Sequence, residues 1–148
     1  MATVFDVAAY ILNKRGPMST WKLQKLVYYS QAWSLAWDEK PLFKEEIQAW
    51  ANGPVCPDLY YAHQGKFEIE RVDISGNTNK LSSEHKKNID IVLKGYGKKT
   101  GSYLSELTHR EGPWMESRKG LAPNERGNKV IHHDLMAEFY RGLLSEEK

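Results

Sequence analysis

Met18-Ser-Thr-Trp-Lys-Leu-Gln-Lys-Leu-Val-Tyr-Tyr-Ser-Gln-Ala-Trp-Ser-Leu-Ala-Trp37 is the stretch whose reading decides the fold. Gly16-Pro17 breaks what precedes it, and Ser19 is suited to cap a helix because its hydroxyl accepts from a free backbone N–H of the first turn. Met18 and Leu23 stand at the two positions of a hydrophobic staple. At helical spacing Leu23, Leu26, Tyr29, Ser30, Trp33 and Trp37 share one side, while Trp21, Tyr28, Ala32, Leu35 and Ala36 form a second apolar face. Gln24, Gln31, Ser34 and Asp38 make the main polar strip, with Lys22 and Lys25 outside it. A helix apolar over most of its circumference is wrapped by the rest of its domain. This predicts a central buried helix over about residues 19–37, with Trp33 largely buried.

The remainder reads as a mainly α (α+β) chain, a compact single-domain helical bundle with a small antiparallel β ribbon. Val4, Val7, Ala8, Ile11 and Leu12 give a first helix over about 4–14, capped at Thr3, stopped by Gly16-Pro17 and packed on the central helix as a hairpin. Residues 46–51 and 66–74 alternate as strands and are expected to pair with each other. Asn52-Gly53-Pro54-Val55 reads as a turn, with Gly53 in a conformation that L-residues disfavour. Short helices are expected over 57–64, with Leu59, Tyr60, Tyr61 and Ala62 on the apolar face, and over 83–94, 102–109 and 113–118. Gly95 and Gly97 are read as stops. Residues 120–129 are polar and irregular; a last amphipathic helix covers 133–144, with 145–148 frayed.

Composition narrows the function. The 148 residues fit one domain, 1–148, able to bury roughly 70% of the unfolded surface, and 41% of them are hydrophobic. The 21 basic and 19 acidic residues leave a net charge of +2, which gives no electrostatic footprint for nucleic acid or an anionic membrane. The single cysteine, the absence of a signal-peptide pattern and the absence of a long apolar run point to the cytoplasm and to no membrane.

Chemistry-bearing patterns are few. No two of the five histidines have metal-ligand spacing, and the adjacent His132 and His133 diverge on a helix. Glu45-Glu46 and Glu146-Glu147 are solvated pairs, and Gly95-x-Gly97 lacks the context of a phosphate loop. Cys56 with His63 or His109 is a formal cysteine-hydrolase arrangement, but a lone cysteine between prolines behaves as a small hydrophobe. Neither a catalytic residue nor a cofactor is predicted. What remains is polar and aromatic side chains suited to a protein-binding surface: Gln24, Gln31, Trp50, Asn52, Trp114 and Arg118. Neutral amides suit such a surface because desolvating a charge on docking costs far more.

The run Lys22-Leu-Gln-Lys-Leu-Val-Tyr-Tyr-Ser-Gln-Ala32 resembles the "L-x-K-L-hydrophobic-Y" helix of the Panacea domain, the family of SocA-like antitoxins and GepA-type phage-associated proteins. Pro41-Leu-Phe43, Gln48-Ala-Trp-Ala-Asn-Gly-Pro-Val55, Leu107-Thr-His109 with Pro113-Trp114, and Ile131 with Phe139-Tyr140 follow in matching order. Ser117-Arg118 departs from the commoner Ala before the arginine. The resemblance implies an antitoxin of a type II toxin–antitoxin system that neutralises a toxin encoded beside it by direct contact. It implies a cognate protein toxin as partner, and leaves self-association and hand-over of the toxin to a protease open. The alternatives are a Cys56-dependent hydrolase, which Cys56→Ser would inactivate, and a nucleic-acid-binding regulator with salt-sensitive binding.

Overall fold

The Ser19 hydroxyl accepts from the Lys22 N–H at 3.1 Å and starts a helix from Thr20 to Asp38, here α2. In the computed structural model, which describes residues 2–146, this helix is the axis of the molecule. From Leu23 to Ala36 every residue except Trp33 is buried. The helix stops at Glu39, in the left-handed conformation at φ 60°, whose N–H donates to the Leu35 carbonyl.

Helices α1 (Val4–Arg15), α3 (Pro57–His63), α4 (Ser83–Tyr96), α5 (Gly101–His109), α6 (Gly112–Ser117) and α7 (His133–Glu146) surround it. Val7, Ala8, Ile11 and Leu12 of α1, Ile89, Val92 and Leu93 of α4, Leu104 of α5, and Met136 and Tyr140 of α7 join α2 in one continuous hydrophobic core. The fold is mainly α and compact, with minor β structure. Gly95 lies inside α4, and Gly97 ends it by donating to the Leu93 carbonyl. Helix α7 runs on to Glu146, so the fray expected over 145–148 does not hold at 145–146, and 147–148 lie outside the described residues.

The β structure corrects the expected pairing. Strand β2 (Gln48–Trp50) pairs antiparallel with β3 (Gly53–Val55), the segment read as a turn, through the two-residue loop Ala51-Asn52. A second ribbon joins β1 (Met18–Ser19) to β4 (Glu68–Ile69). The strand expected over 66–74 shrinks to these two residues, and Arg71–Asp73 is a 3-10 turn with Val72 exposed. A two-residue hairpin loop closes at far lower entropic cost than the longer connection the expected pairing needs. Across the outer edge of β2, Ala49 donates to Lys129 and Ile131 donates to Ile47, so the irregular segment 120–129 is tied down where it meets Val130.

Trp33 is half-buried rather than enclosed. Its indole N–H donates to the Tyr96 hydroxyl at 2.9 Å, which keeps that edge near the surface. On α3 only Leu59 and His63 are buried; of the apolar face read from the sequence Leu59 turns inward and Tyr60 partly so, while Tyr61 and Ala62 are exposed.

Candidate functional site: an aromatic groove over a buried lysine

Gln24 and Gln31 correct the idea of an exposed glutamine strip. Gln24 is 3% exposed and Gln31 0%. The Gln24 side-chain oxygen accepts from the Cys56 N–H at 2.9 Å, and its nitrogen donates to the Cys56 carbonyl. Gln31 accepts from the Leu42 N–H at 2.7 Å and donates to the Phe43 carbonyl at 2.8 Å. Each amide supplies one donor and one acceptor to a connecting backbone, at the Cys56 cap of α3 and at the Leu42–Phe43 loop. Both are internal struts.

The same geometry sets His63. With the Gln24 oxygen engaged by Cys56, its nitrogen faces His63 Nε2 at 3.0 Å, so that ring nitrogen accepts and the proton lies on Nδ1. Burial, and behind it the charge of Lys25, hold the His63 pKa below its ordinary value.

Gln24→Glu or Gln31→Glu therefore acts on the fold. Each carboxylate would meet a backbone carbonyl in place of the amide donor, with a cost on the order of 3 kcal/mol. Thermal melts check this: a large drop for each variant is expected, and an unchanged melt would restore the surface reading.

Arg118 is likewise internal, at 5% exposure. Its guanidinium donates to the Ala49 carbonyl at 3.0 Å and to Ala122 and Glu125, and lies over the Trp114 ring at 5.2 Å. It clamps the 120–129 segment onto β2, so it is a staple rather than a binding anchor. Trp114 is half-buried, donates to the Trp50 carbonyl at 2.8 Å and packs on His109 at 4.2 Å. Trp50 and Asn52 stay partly or wholly accessible at the β2–β3 hairpin.

The accessible members meet residues that the sequence reading placed elsewhere. Trp21, Trp50, Tyr60, His63 and Phe67 line a groove of about 370 Å³ whose floor includes Gln24. Trp21 and Phe67 continue into a second hollow with Asn52, Ser105, Glu106 and His109. Trp50 and Tyr60 touch edge to face at 5.0 Å, and Tyr61 follows Tyr60 at 5.8 Å. Phe67 is 77% exposed, Tyr61 68% and Trp21 40%, so the groove is bordered by large apolar surface in water. Trp21 and Phe67 had been given structural places, on an apolar helix face and in a strand. The i, i+4 spacing of Trp21 and Lys25 was the available signal that those two side chains meet.

Beneath Trp21 lies Lys25, fully enclosed. Its Nζ donates to the Pro54 carbonyl at 3.0 Å and sits 5.1 Å from the Trp21 ring centre. The ion pairs among the described residues leave it out. Burial alone lowers its pKa to about 7. An ammonium desolvated without a carboxylate disfavours the charged form, which accounts for the direction.

This lysine gives stability a sign with pH. A lowered folded pKa means that the unfolded chain binds the extra proton above pH 7, so stability rises with pH there. The Cys56 thiol, pushed up from 9.0 to about 12 by burial, has the opposite slope above pH 9 and cancels the rise. Unfolding free energy should therefore climb by about 2 kcal/mol from pH 7 to 9 and fall again above about pH 10, where the buried tyrosines, their pKa values raised by burial, add to the downward slope. In Lys25→Met the climb should vanish; urea titrations at each pH decide it.

The raised Cys56 pKa also bears on hydrolysis. Cys56 is 1% exposed, and burial makes its thiolate scarce, the reverse of an activated nucleophile. Among the described residues no group of His, Cys, Asp and Glu could hold a metal ion, and no helix is long and apolar enough to cross a membrane.

The molecule is a mainly helical body around one enclosed helix, with an aromatic groove open on its surface. The sequence profile of the antitoxin SocA-like, Panacea domain family matches residues 23–115, from α2 through α6. Antitoxin SocA of Caulobacter vibrioides (strain NA1000 / CB15N) is 31% identical over 134 residues, covering 80% of this chain and 71% of that protein. No solved structure matches. The chain belongs to the SocA-like antitoxin family built on the Panacea domain. Membership supports an antitoxin role and, in general, a toxin partner.

Proposed function

We propose that this protein is the antitoxin of a type II system and neutralises the product of the adjacent gene by binding it directly, through the groove of Trp21, Trp50, Tyr60 and Phe67. Family membership supports the antitoxin role, and the exposed aromatic border supports this choice of surface. Rigid aromatic side chains bury large area at small entropic cost, which makes them the usual anchors of a protein interface. Neutralisation is by sequestration: the groove covers the toxin's working surface, and no bond is made or broken. The continuous core supports residues 1–148 acting as one antitoxin domain.

Phe67 and Tyr61 carry the test because their exposure uncouples them from folding. Phe67→Ser with Tyr61→Ser should leave the melting temperature within about 2 °C of the parent. The same double variant should lose tenfold or more in affinity for the adjacent-gene product, and cells co-expressing the two should lose protection. Full protection by a well-folded double variant would move the interface away from this groove.

A further inference from the structure

Lys25 is a buried amine with no carboxylate partner among the described residues. The amine is enclosed, yet the acceptor it uses in the protein is a single neutral carbonyl, that of Pro54 at 3.0 Å. An ammonium has three donors. The Trp21 face, 5.1 Å from Nζ, supplies a second and weaker contact. The stem lies along Gly53, where a methionine, one atom shorter, would fill most of the space at the loss of the bond to Pro54, and replacing buried ionic groups by apolar ones is commonly neutral or stabilising. The groups around it are poor substitutes for a counter-ion. His63 Nε2 is occupied by Gln24, and Thr108 offers a hydroxyl near the lysine stem. Lys66 at the groove rim is cationic and paired with Asp73 at 3.5 Å. Glu106 lines the adjoining hollow and forms no ion pair with Lys25.

Trp21, whose ring centre lies 5.1 Å from Lys25 Nζ, is 40% exposed and walls both hollows. From this geometry we propose that the toxin partner inserts an acidic side chain, flanked by apolar residues, to pair with Lys25 while Trp21 turns aside and packs on the apolar flank. The inference deepens the antitoxin reading and rests on it: the groove supplies apolar area and Lys25 supplies the charge complementarity. A carboxylate arriving in this dry site favours the protonated form of an amine already withdrawn from water, so docking adds the desolvation of the incoming acid but not that of a second hydrated group. The amine's lowered pKa agrees with a charge that lacks its partner before docking.

The test uses the whole chain and the purified product of the adjacent gene. Lys25→Met should melt at or above the parent temperature and bind that product at least tenfold more weakly. In parallel, each Asp and Glu of the product is changed to Asn or Gln. One of these changes should weaken binding to the parent tenfold or more and have no further effect on Lys25→Met. Equal binding by parent and Lys25→Met overturns the inference, as does a scan that finds no carboxylate coupled to Lys25. Should Lys25→Met fail to fold, the scan against the parent decides alone, a sensitive carboxylate supporting the inference and its absence ending it. Failure of the parent itself to bind the product is a different result, and it removes the antitoxin reading together with the inference.

Discussion

Gly53→Val should be among the most damaging single substitutions in this protein, costing on the order of 3–5 kcal/mol and leaving little folded material. Two effects add at this position. Gly53 has φ +125°, a region that L side chains rarely adopt, and a β-branched residue fits it worst. An added Cβ would also stand 2.7 Å from Lys25 Cε, 3.2 Å from Lys25 Nζ and 3.2 Å from the Thr108 hydroxyl. The lysine cannot retreat easily, because its amine is held by Pro54, the next residue. Gly65 separates the two effects. It has φ +90° and nothing within 4 Å of the added Cβ, so Gly65→Ala measures backbone strain alone. Gly53→Ala should exceed it by at least about 1 kcal/mol, the steric share. Equal losses in urea unfolding would show that the lysine yields freely and that only the backbone matters.

The conformation of Gly53 was legible because an Asn-Gly-Pro run carries its own backbone constraints. So was α2, whose cap at Ser19 and apolar circumference lie within one short stretch. The polar residues of α2 were misassigned for a physical reason. A helical wheel equates polar with solvent-facing, and here no solvent-facing side exists between Leu23 and Ala36 except at Trp33. Gln24, Gln31 and Lys25 serve backbone groups of Cys56, of Leu42 with Phe43, and of Pro54. Those partners lie 11 to 32 residues away and present only main-chain atoms, which no side-chain pattern announces.

The groove was half legible. Trp50 and Asn52 were read as surface residues, and they border it. Phe67 was invisible because its outward position follows from the short β1–β4 ribbon, where the Thr20 N–H donates to the Phe67 carbonyl and turns the side chain to water. Arg118 and Trp114 were singled out correctly as unusual but for the wrong reason. An arginine that ties two carbonyls of an irregular segment to one of β2 looks in sequence like one reserved for a partner.

Glu111→Ala should rival Gly53→Val, with a loss on the order of 3–5 kcal/mol, through polar rather than steric chemistry. Glu111 is 8% exposed at the start of α6, and one of its carboxylate oxygens accepts from the Tyr29 hydroxyl at 2.7 Å and from the Tyr140 hydroxyl at 2.8 Å. Because Tyr140 gives its proton to Glu111, the 3.0 Å contact with Tyr28 runs from the Tyr28 hydroxyl to the Tyr140 oxygen. Three tyrosines from α2 and α7 thus converge on one carboxylate. Burial raises the Glu111 pKa against the lowering effect of its two hydroxyl donors, and burial also raises the pKa of each tyrosine, so the protons stay on the hydroxyls. Alanine would leave two buried donors without their acceptor and a void among packed rings. Glu111→Gln keeps an oxygen in place, so it should cost no more than about 1–2 kcal/mol. Tyr28→Phe deletes only the outermost donor and should cost about 1 kcal/mol. Melting temperatures should therefore fall in the order Tyr28→Phe, Glu111→Gln, Glu111→Ala. A Glu111→Ala protein as stable as Glu111→Gln would mean that the hydroxyls find other acceptors, and that the carboxylate does not organise the junction of α2, α6 and α7.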